Sequence, residues 1–237
     1  MKIAIVHDWL NQKVGGAESV LFELADMYPK ADIFTLVYND KKFRQHLSGR
    51  KIYKSRLQRF PWFMKKHPKL LLPFIKKAVE KWNFSDYDLV ITSSSAWVKN
   101  ITVPENTRHL CYCHTPARML WDSWPGYIDQ MKLPFVLRLY LIRLASRLRL
   151  WDYYQSQRNT EFIANDNYVA ERIKKFYRKP SQVIYPPVKT KELIPEGNVN
   201  KKDYYVIVSV LSNYKNIQLA IKAFIKNGKN RLNRKKS

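Results

Sequence analysis

The chain has 237 residues, of which 46% are hydrophobic and 14% aromatic, which supplies a packed core and excludes wholesale disorder. Lys and Arg number 43 against 19 Asp and Glu, a formal net charge of +24; a charge of that size predicts an anionic partner, whether a phospholipid surface, a nucleic acid or a phosphorylated substrate. No stretch approaches the roughly 20 apolar residues of a membrane span, because the best run, Leu70 to Ile75, is interrupted by Pro73 and flanked by lysines.

The chain opens Met1-Lys2-Ile3-Ala4-Ile5-Val6-His7-Asp8. The apolar run is short and is broken by His7 and Asp8, so it reads as a buried strand over 2–6 and not as a signal peptide. A turn containing Gly15-Gly16 follows. Ala17, Val20, Leu21 and Leu24 then recur at helical spacing up to Tyr28-Pro29, and 32–37 reads as a second strand. Strand, glycine turn, helix and strand together make one βαβ unit of a parallel sheet.

From Lys54 to Trp82, apolar residues including Phe60, Trp62, Phe63, Leu70, Phe74 and Ile75 are interleaved with lysines and arginines. That pattern reads as a basic amphipathic helix. Residues 88–92 form a buried strand ending in a Ser93-Ser94-Ser95 turn. The next strand, 108–113, runs into His114-Thr115-Pro116. Its Cys111 and Cys113 are the only cysteines. They share one strand face, are awkwardly spaced for a disulfide and are too few for a zinc site. We read them as reduced core thiols, which fits a reducing compartment.

A second basic-apolar segment, 132–151, carries Arg138, Arg143, Arg147 and Arg149. A short strand at 161–164 leads to a helix that Asn165 can cap, with Tyr168, Val169, Ile173 and Phe176 on its inner face. Residues 182–185 form a strand ended by Pro186-Pro187. Strands alternate with helices throughout, which predicts an α/β fold with a doubly wound, Rossmann-like parallel sheet over 1–187. Residues 188–202 read as a linker, 203–226 as the first βα unit of a second domain, and 227–237 as a basic polar tail. One βα unit does not close a sheet of its own.

Three places can carry chemistry. Gly15-Gly16 opens a helix after a strand, where backbone N–H groups approach a ligand and the helix N-terminus favours a phosphate; the plain reading is a tight turn. His114 follows the carboxyl end of a central strand, the edge at which ligands bind in open α/β sheets, and could hydrogen-bond a sugar hydroxyl; a lone His is more often structural. His7-Asp8 lies at the same edge.

His-Asp-Trp-Leu (7–10), Gly-Gly-Ala-Glu (15–18), Tyr-Asp-Leu-Val-Ile-Thr-Ser-Ser-Ser (87–95), Cys-Tyr-Cys-His-Thr-Pro-Ala-Arg (111–118), Trp121-Asp122, Phe-Ile-Ala-Asn (162–165) and Val-Ile-Tyr-Pro-Pro-Val (183–188) stand in the order seen in family-four glycosyltransferases. The resemblance spans residues 1 to about 225 and is closest to mannosyltransferase-like members of bacterial polysaccharide clusters. It implies a GT-B architecture of two Rossmann-like domains around a cleft, with transfer of a hexose from a nucleotide sugar such as GDP-mannose, with retention and without a metal or other cofactor. The acceptor would be a polysaccharide or lipid-linked. By similarity, His114 would contact the donor sugar near the reacting carbon, Gly15, Gly16 and Lys215 would hold the donor diphosphate, and His7, Asp8, Glu18 and Asn165 would line the acceptor side of the cleft.

The departures from the family pattern lie in the second domain. Val210 stands where an Arg is expected to clamp the diphosphate, and a Val does not hold a phosphate oxygen. No two glutamates are separated by seven residues, and the last is Glu196. These departures lead us to expect a truncated donor-binding half and a chain inactive or nearly so by itself; the two basic-apolar segments and the net charge lead us to expect a cytoplasmic protein peripherally bound to the inner, anionic membrane face. The alternative is a noncatalytic membrane- or acceptor-binding module working with a separate donor-binding chain. Nucleic-acid binding rests on charge alone, since no such motif is present.

Overall fold

The computed structural model describes residues 1–11, 14–122, 134–188, 190, 205–209 and 215–227. Residues 1–188 and 189–237 form two compact units, each described by itself. The first unit is built on seven parallel strands in the order β3-β2-β1-β4-β5-β6-β7. They are β1 (Ile3–Leu10), β2 (Asp32–Tyr38), β3 (Ile52–Lys54), β4 (Leu89–Ser94), β5 (Arg108–Cys113), β6 (Thr160–Ala164) and β7 (Ser181–Val183). Helices α1 (Gly16–Met27), α2 (Asp40–Phe43), α3 (Trp62–Lys66), α4 (Leu72–Val79), α5 (Arg118–Trp121), α6 (Phe135–Ser156) and α7 (Asn167–Tyr177) flank them. This is the Rossmann-like α/β sheet that the alternation predicts. Strand order reverses between β1 and β4, so the topological switch point lies at their carboxyl ends.

Central strands are apolar on both faces because helices cover both. In β1, Ala4 and Val6 join a core with Val90, Ile75, Val79, Leu148 and Trp151. Ile3 and Ile5 point the other way, into a core with Leu21, Ala25, Ile33 and Ile91. Helices α4 and α6 therefore pack on one face and α1 on the other. Each such fully buried aliphatic side chain contributes roughly 1.5–3 kcal/mol. Cys111 and Cys113 are free and buried among Phe162, Val169, Ile173 and Tyr177. The hydrogen bond to Cys111, together with burial, raises the Cys113 thiol well above its ordinary value, so it stays a protonated apolar filler.

Several expectations need correction. The segment 54–82 is not one amphipathic helix. It consists of the end of β3, a 3-10 turn at Arg56–Arg59 capped by the Ser55 hydroxyl, α3, a second 3-10 turn at Pro68–Leu71, and α4. Pro61, Pro68 and Pro73 impose the breaks, since each lacks a backbone N–H and is accommodated in the first turn of a new element or just before it. Strand β3 has no apolar run to announce it; it pairs as an edge strand, with Tyr53 stacked on Phe34 at 4.6 Å. Asn165 does not cap α7. Asp166 does, its carboxylate accepting from the Val169 N–H at 2.6 Å. Tyr168 is 67% exposed, and Tyr177 takes the inward position, fully buried.

In the second unit, residues 205–209 pair in no sheet among the described residues, contrary to the strand expected there. The expected helix is present as α8 (Ile217–Lys226), and Phe224 lies 4.6 Å from the Tyr205 ring. Most of the expected linker, Val210 and the tail from 228 onward lie outside the described residues.

A buried polar network ties α6 to the loop after β4. Asp152 is fully buried and pairs with the buried Lys99 ammonium. It also accepts hydrogen bonds from Asn100 Nδ2, Trp121 Nε1 and Tyr177 Oη, each at 2.8 Å. Removing one member of a buried ion pair leaves the other uncompensated, at a cost of about 3–5 kcal/mol. We expect Asp152→Ala to lose stability on that scale in chemical denaturation. A loss below about 1 kcal/mol would mean that the network is dispensable.

Candidate active site

The site forms where β1, β4 and β5 end side by side. Parallel pairing places His7 opposite Ser93 and Ser94 opposite Cys113, which brings the residue after β5, His114, to the same edge. The His114 backbone N–H donates to the Ser94 carbonyl at 2.9 Å. Ser93 Oγ lies 3.1 Å from His7 Nδ1 and 2.9 Å from His114 Nε2. His7 Nε2 is 3.9 Å from Glu18 Oε1, and the other Glu18 oxygen accepts from the Gly15 N–H at 2.9 Å. Glu18, His7, Ser93 and His114 thus form one line of polar groups running from the N-terminus of α1 across three strand ends.

Each member has a local cause. Gly15 is the N-cap of α1, in extended backbone, and Glu18 at the third helical position reaches back to its N–H, the carboxylate half of a capping box. A Cβ at position 15 would stand 3.1 Å from Glu18 Oε2, whereas at Gly16 nothing lies within 4 Å. Gly15 is therefore committed to the cap, and the open approach is at Gly16. Burial raises the Glu18 carboxyl; the His7 ring and the Gly15 and Glu18 N–H groups outweigh that and leave it below its ordinary value. The residue stays a carboxylate.

His114 is half-buried. Desolvation, reinforced by the nearby His7 and opposed by Asp8 and Glu18, lowers its imidazole to about 4. At neutral pH it is an uncharged ring, able to give or take one hydrogen bond but not to act as a cation. Its Nδ1 has no partner among the described residues. His109 is a different case: it is fully buried between the Thr92 and Thr160 hydroxyls at 3.1 and 3.0 Å and is lowered to about 4 by burial, a structural imidazole.

Asp8 stands apart from the other expected cleft residues. It is buried, and its Oδ1 accepts from the N–H groups of Trp97 and Val98 at 2.8 and 3.0 Å. Its Oδ2 accepts from those of Ser95 and Ala96 at 2.6 and 2.9 Å, and from the Ser95 and Ser94 hydroxyls at 3.2 and 3.4 Å. Six donors exhaust a carboxylate's roughly four lone-pair sites, so Asp8 builds the loop and offers nothing to a ligand. Asn165 follows β6, three strands from β1 on the β5 side, and its buried Oδ1 has no hydrogen-bond partner among the described residues. Lys215 lies just before α8 in the second unit. Ser93 is the member that the sequence reading missed. It looked like part of a serine turn, and only the His7–Ser93 register gives it a role.

Residues 14–192 match the family model described as Glycosyltransferase Family 4, well over half of the chain. Among solved structures, the chain is similar to Anabaena HepE, solved in complex with UDP, with 15% sequence identity and a TM-score of 0.43. That match covers 81% of this chain and 45% of that one. No curated protein matches the sequence.

His109 and His114 are neutral in the fold down to about pH 4, whereas in the unfolded chain both rings take up protons below the ordinary value of 6.5. Through that window the unfolded state binds more protons, so stability rises with pH and is lost as pH falls from 6.5 toward 4. Melting temperatures measured between pH 7.5 and 4.5 should decline, and imidazole NMR titration should show both rings still neutral at pH 5. A ring titrating near 6.5 would contradict the burial argument.

Proposed function

The chain belongs to Glycosyltransferase Family 4, and from that premise we propose that residues 1–187 are the acceptor-side half of a GT-B glycosyltransferase. It transfers a hexose, mannose first among the candidates, from a nucleotide sugar such as GDP-mannose to a polysaccharide or lipid-linked acceptor, with retention. One observation carries this reading: a neutral His114 stands at the carboxyl edge of the sheet and is linked through Ser93, His7 and Glu18 to the glycine turn of α1. A nucleotide sugar needs a place for its diphosphate, and a helix N-terminus with an open glycine supplies partial positive charge there. The sugar needs a directional hydrogen-bond partner near its reacting carbon, which His114 supplies without adding charge.

GDP-mannose and a panel of UDP-hexoses, titrated into the protein with turnover followed in parallel, test this. We expect one nucleotide sugar to bind with little or no turnover, since Val210 stands where a clamping Arg is expected, and His114→Ala to weaken that binding about tenfold, the scale of one hydrogen bond. The absence of binding across the whole panel would overturn the reading.

The surface supports peripheral contact with an anionic membrane. Trp62 is 70% exposed, and Phe63, Leu70 and Phe74 are also exposed, beside Lys65, Lys66, Lys76 and Lys77. On α6, which packs on the same sheet face, Phe135 and Val136 are 77% and 78% exposed, with Tyr140 and Ile142 outward as well, interleaved with Arg143 and Arg147. Exposed aromatics among cations suit a lipid interface, the rings entering the headgroup layer and the cations meeting phosphate. No helix among the described residues is long and apolar enough to cross a membrane. In flotation assays the protein should rise with phosphatidylglycerol vesicles and not with phosphatidylcholine. Trp62→Ser with Phe63→Ser should reduce that binding severalfold. Equal binding to both lipids would remove the electrostatic part of the reading.

A further inference from the structure

The polar line at the strand ends contains one hydroxyl between two imidazoles, and that arrangement restricts where the protons sit. Ser93 Oγ is 3.1 Å from His7 Nδ1 and 2.9 Å from His114 Nε2. A hydroxyl carries one hydrogen and donates it once. If it donates to one ring, the other ring must donate to it. What decides the direction is the far end of His7, whose Nε2 lies 3.9 Å from the Glu18 carboxylate. A lone pair on Nε2 would face an anion across that gap in a site almost closed to water, since His7 is 2% exposed. The hydrogen of a neutral His7 therefore belongs on Nε2, and its Nδ1 is left as an acceptor. Ser93 must give its hydrogen to His7 Nδ1, and the oxygen then accepts from an Nε2–H on His114.

We propose that Glu18, His7 and Ser93 are positioning residues that hold His114 as the Nε2–H tautomer, so that its Nδ1 presents a lone pair to a hydroxyl of the substrate. The assignment rests on the reading of His114 as the sugar-contacting residue. It deepens that reading by fixing the sense of the contact: the substrate hydroxyl donates and the protein accepts. The line also gives Glu18 two tasks. One oxygen caps the glycine turn of α1 and the other orients the relay, so the backbone expected to meet the diphosphate and the ring expected to meet the sugar are joined through a single carboxylate. Glu18, His7 and Ser93 act only through His114 and need not touch substrate.

The test needs no substrate. Long-range proton–nitrogen NMR of the intact protein at about pH 8, above the ordinary imidazole range, distinguishes a protonated ring nitrogen from a bare one. Wild-type His114 should show Nε2–H alone. Ser93→Ala removes the acceptor and should yield a mixture of both tautomers; Ser93→Thr keeps a hydroxyl and should restore Nε2–H. Glu18→Gln removes the charge that orders His7, and should also give a mixture in both rings. His109, held between its two threonines, serves as the internal control and should not change in any variant. If Ser93→Ala does not fold, Glu18→Gln alone decides, because its side chain lies at the helix start and keeps its shape. A wild-type His114 protonated on Nδ1, or a pure Nε2–H form that survives Glu18→Gln and, where it folds, Ser93→Ala, overturns the proposal. The tautomer result stands whether or not sugar transfer is found, so the relay and the transferase reading fail separately.

Discussion

The carboxylate of Asp8 organises the candidate site. Four consecutive backbone N–H groups, Ser95 to Val98, close on its two oxygens with help from two serine hydroxyls. Hydrogen bonds to an ionised acceptor are roughly twice as strong as neutral ones, and successive N–H groups make a concave site for an anion. Here the anion is a side chain of the neighbouring strand. The loop after β4 is thereby stapled to the end of β1. The last residue of β4, Ser94, supplies the carbonyl that holds the His114 N–H, and the same loop supplies the Lys99 and Asn100 side chains that meet Asp152 on α6. The strand ends, the loop and the covering helix are set by two buried acids, one on each side of residues 94–100.

That scaffold explains the division of labour at the sheet edge. Asp8 is saturated and rigid. His7 and Ser93, one residue before Asp8 and two before the first caged amide, inherit that rigidity, and His114 is held from both its backbone and its ring. Buried polar networks specify geometry strongly when every member is satisfied. Room for an added atom lies at Gly16, with nothing within 4 Å, at the electropositive start of α1. A rigid hydrogen-bonding wall beside an open, positive turn is suited to a ligand with a hydroxylated ring at one end and phosphates at the other.

Much of this was legible in the sequence. Largely apolar runs at 2–6, 32–37 and 88–92 marked three of the central strands, because a strand covered on both faces is mostly apolar, and 108–113 was placed as the strand that runs into His114. The glycine turn and the position of His114 followed from strand–helix alternation. Edge strand β3 was not legible, since three half-exposed residues carry no pattern. The segment 54–82 misled because its hydrophobic spacing was read across prolines that end helices. Asn165 and Asp166 compete for one cap, and only the Asp166–Val169 hydrogen bond separates them. Asp8 was noticed for the right reason, its place at the carboxyl edge, yet its cage depends on a loop some ninety residues away that no local pattern signals. Ser93 was hidden in the same way, by a contact that exists only after β1 and β4 pair.

The distance along the chain between Asp8 and its donors also shapes how the protein comes into being. Asp8 and Trp97 are 89 residues apart, while β2, the other neighbour of β1, begins at Asp32. During synthesis at roughly 5–20 residues per second, β1 and β2 are both made several seconds before the caging loop exists. Through that interval the Asp8 carboxylate lacks the amides that cage it in the fold, and a charge without such partners is costly to bury. Residues 94–98 supply those donors. The carboxyl end of β1 therefore reaches its final environment only after a segment made well behind it has been joined to it.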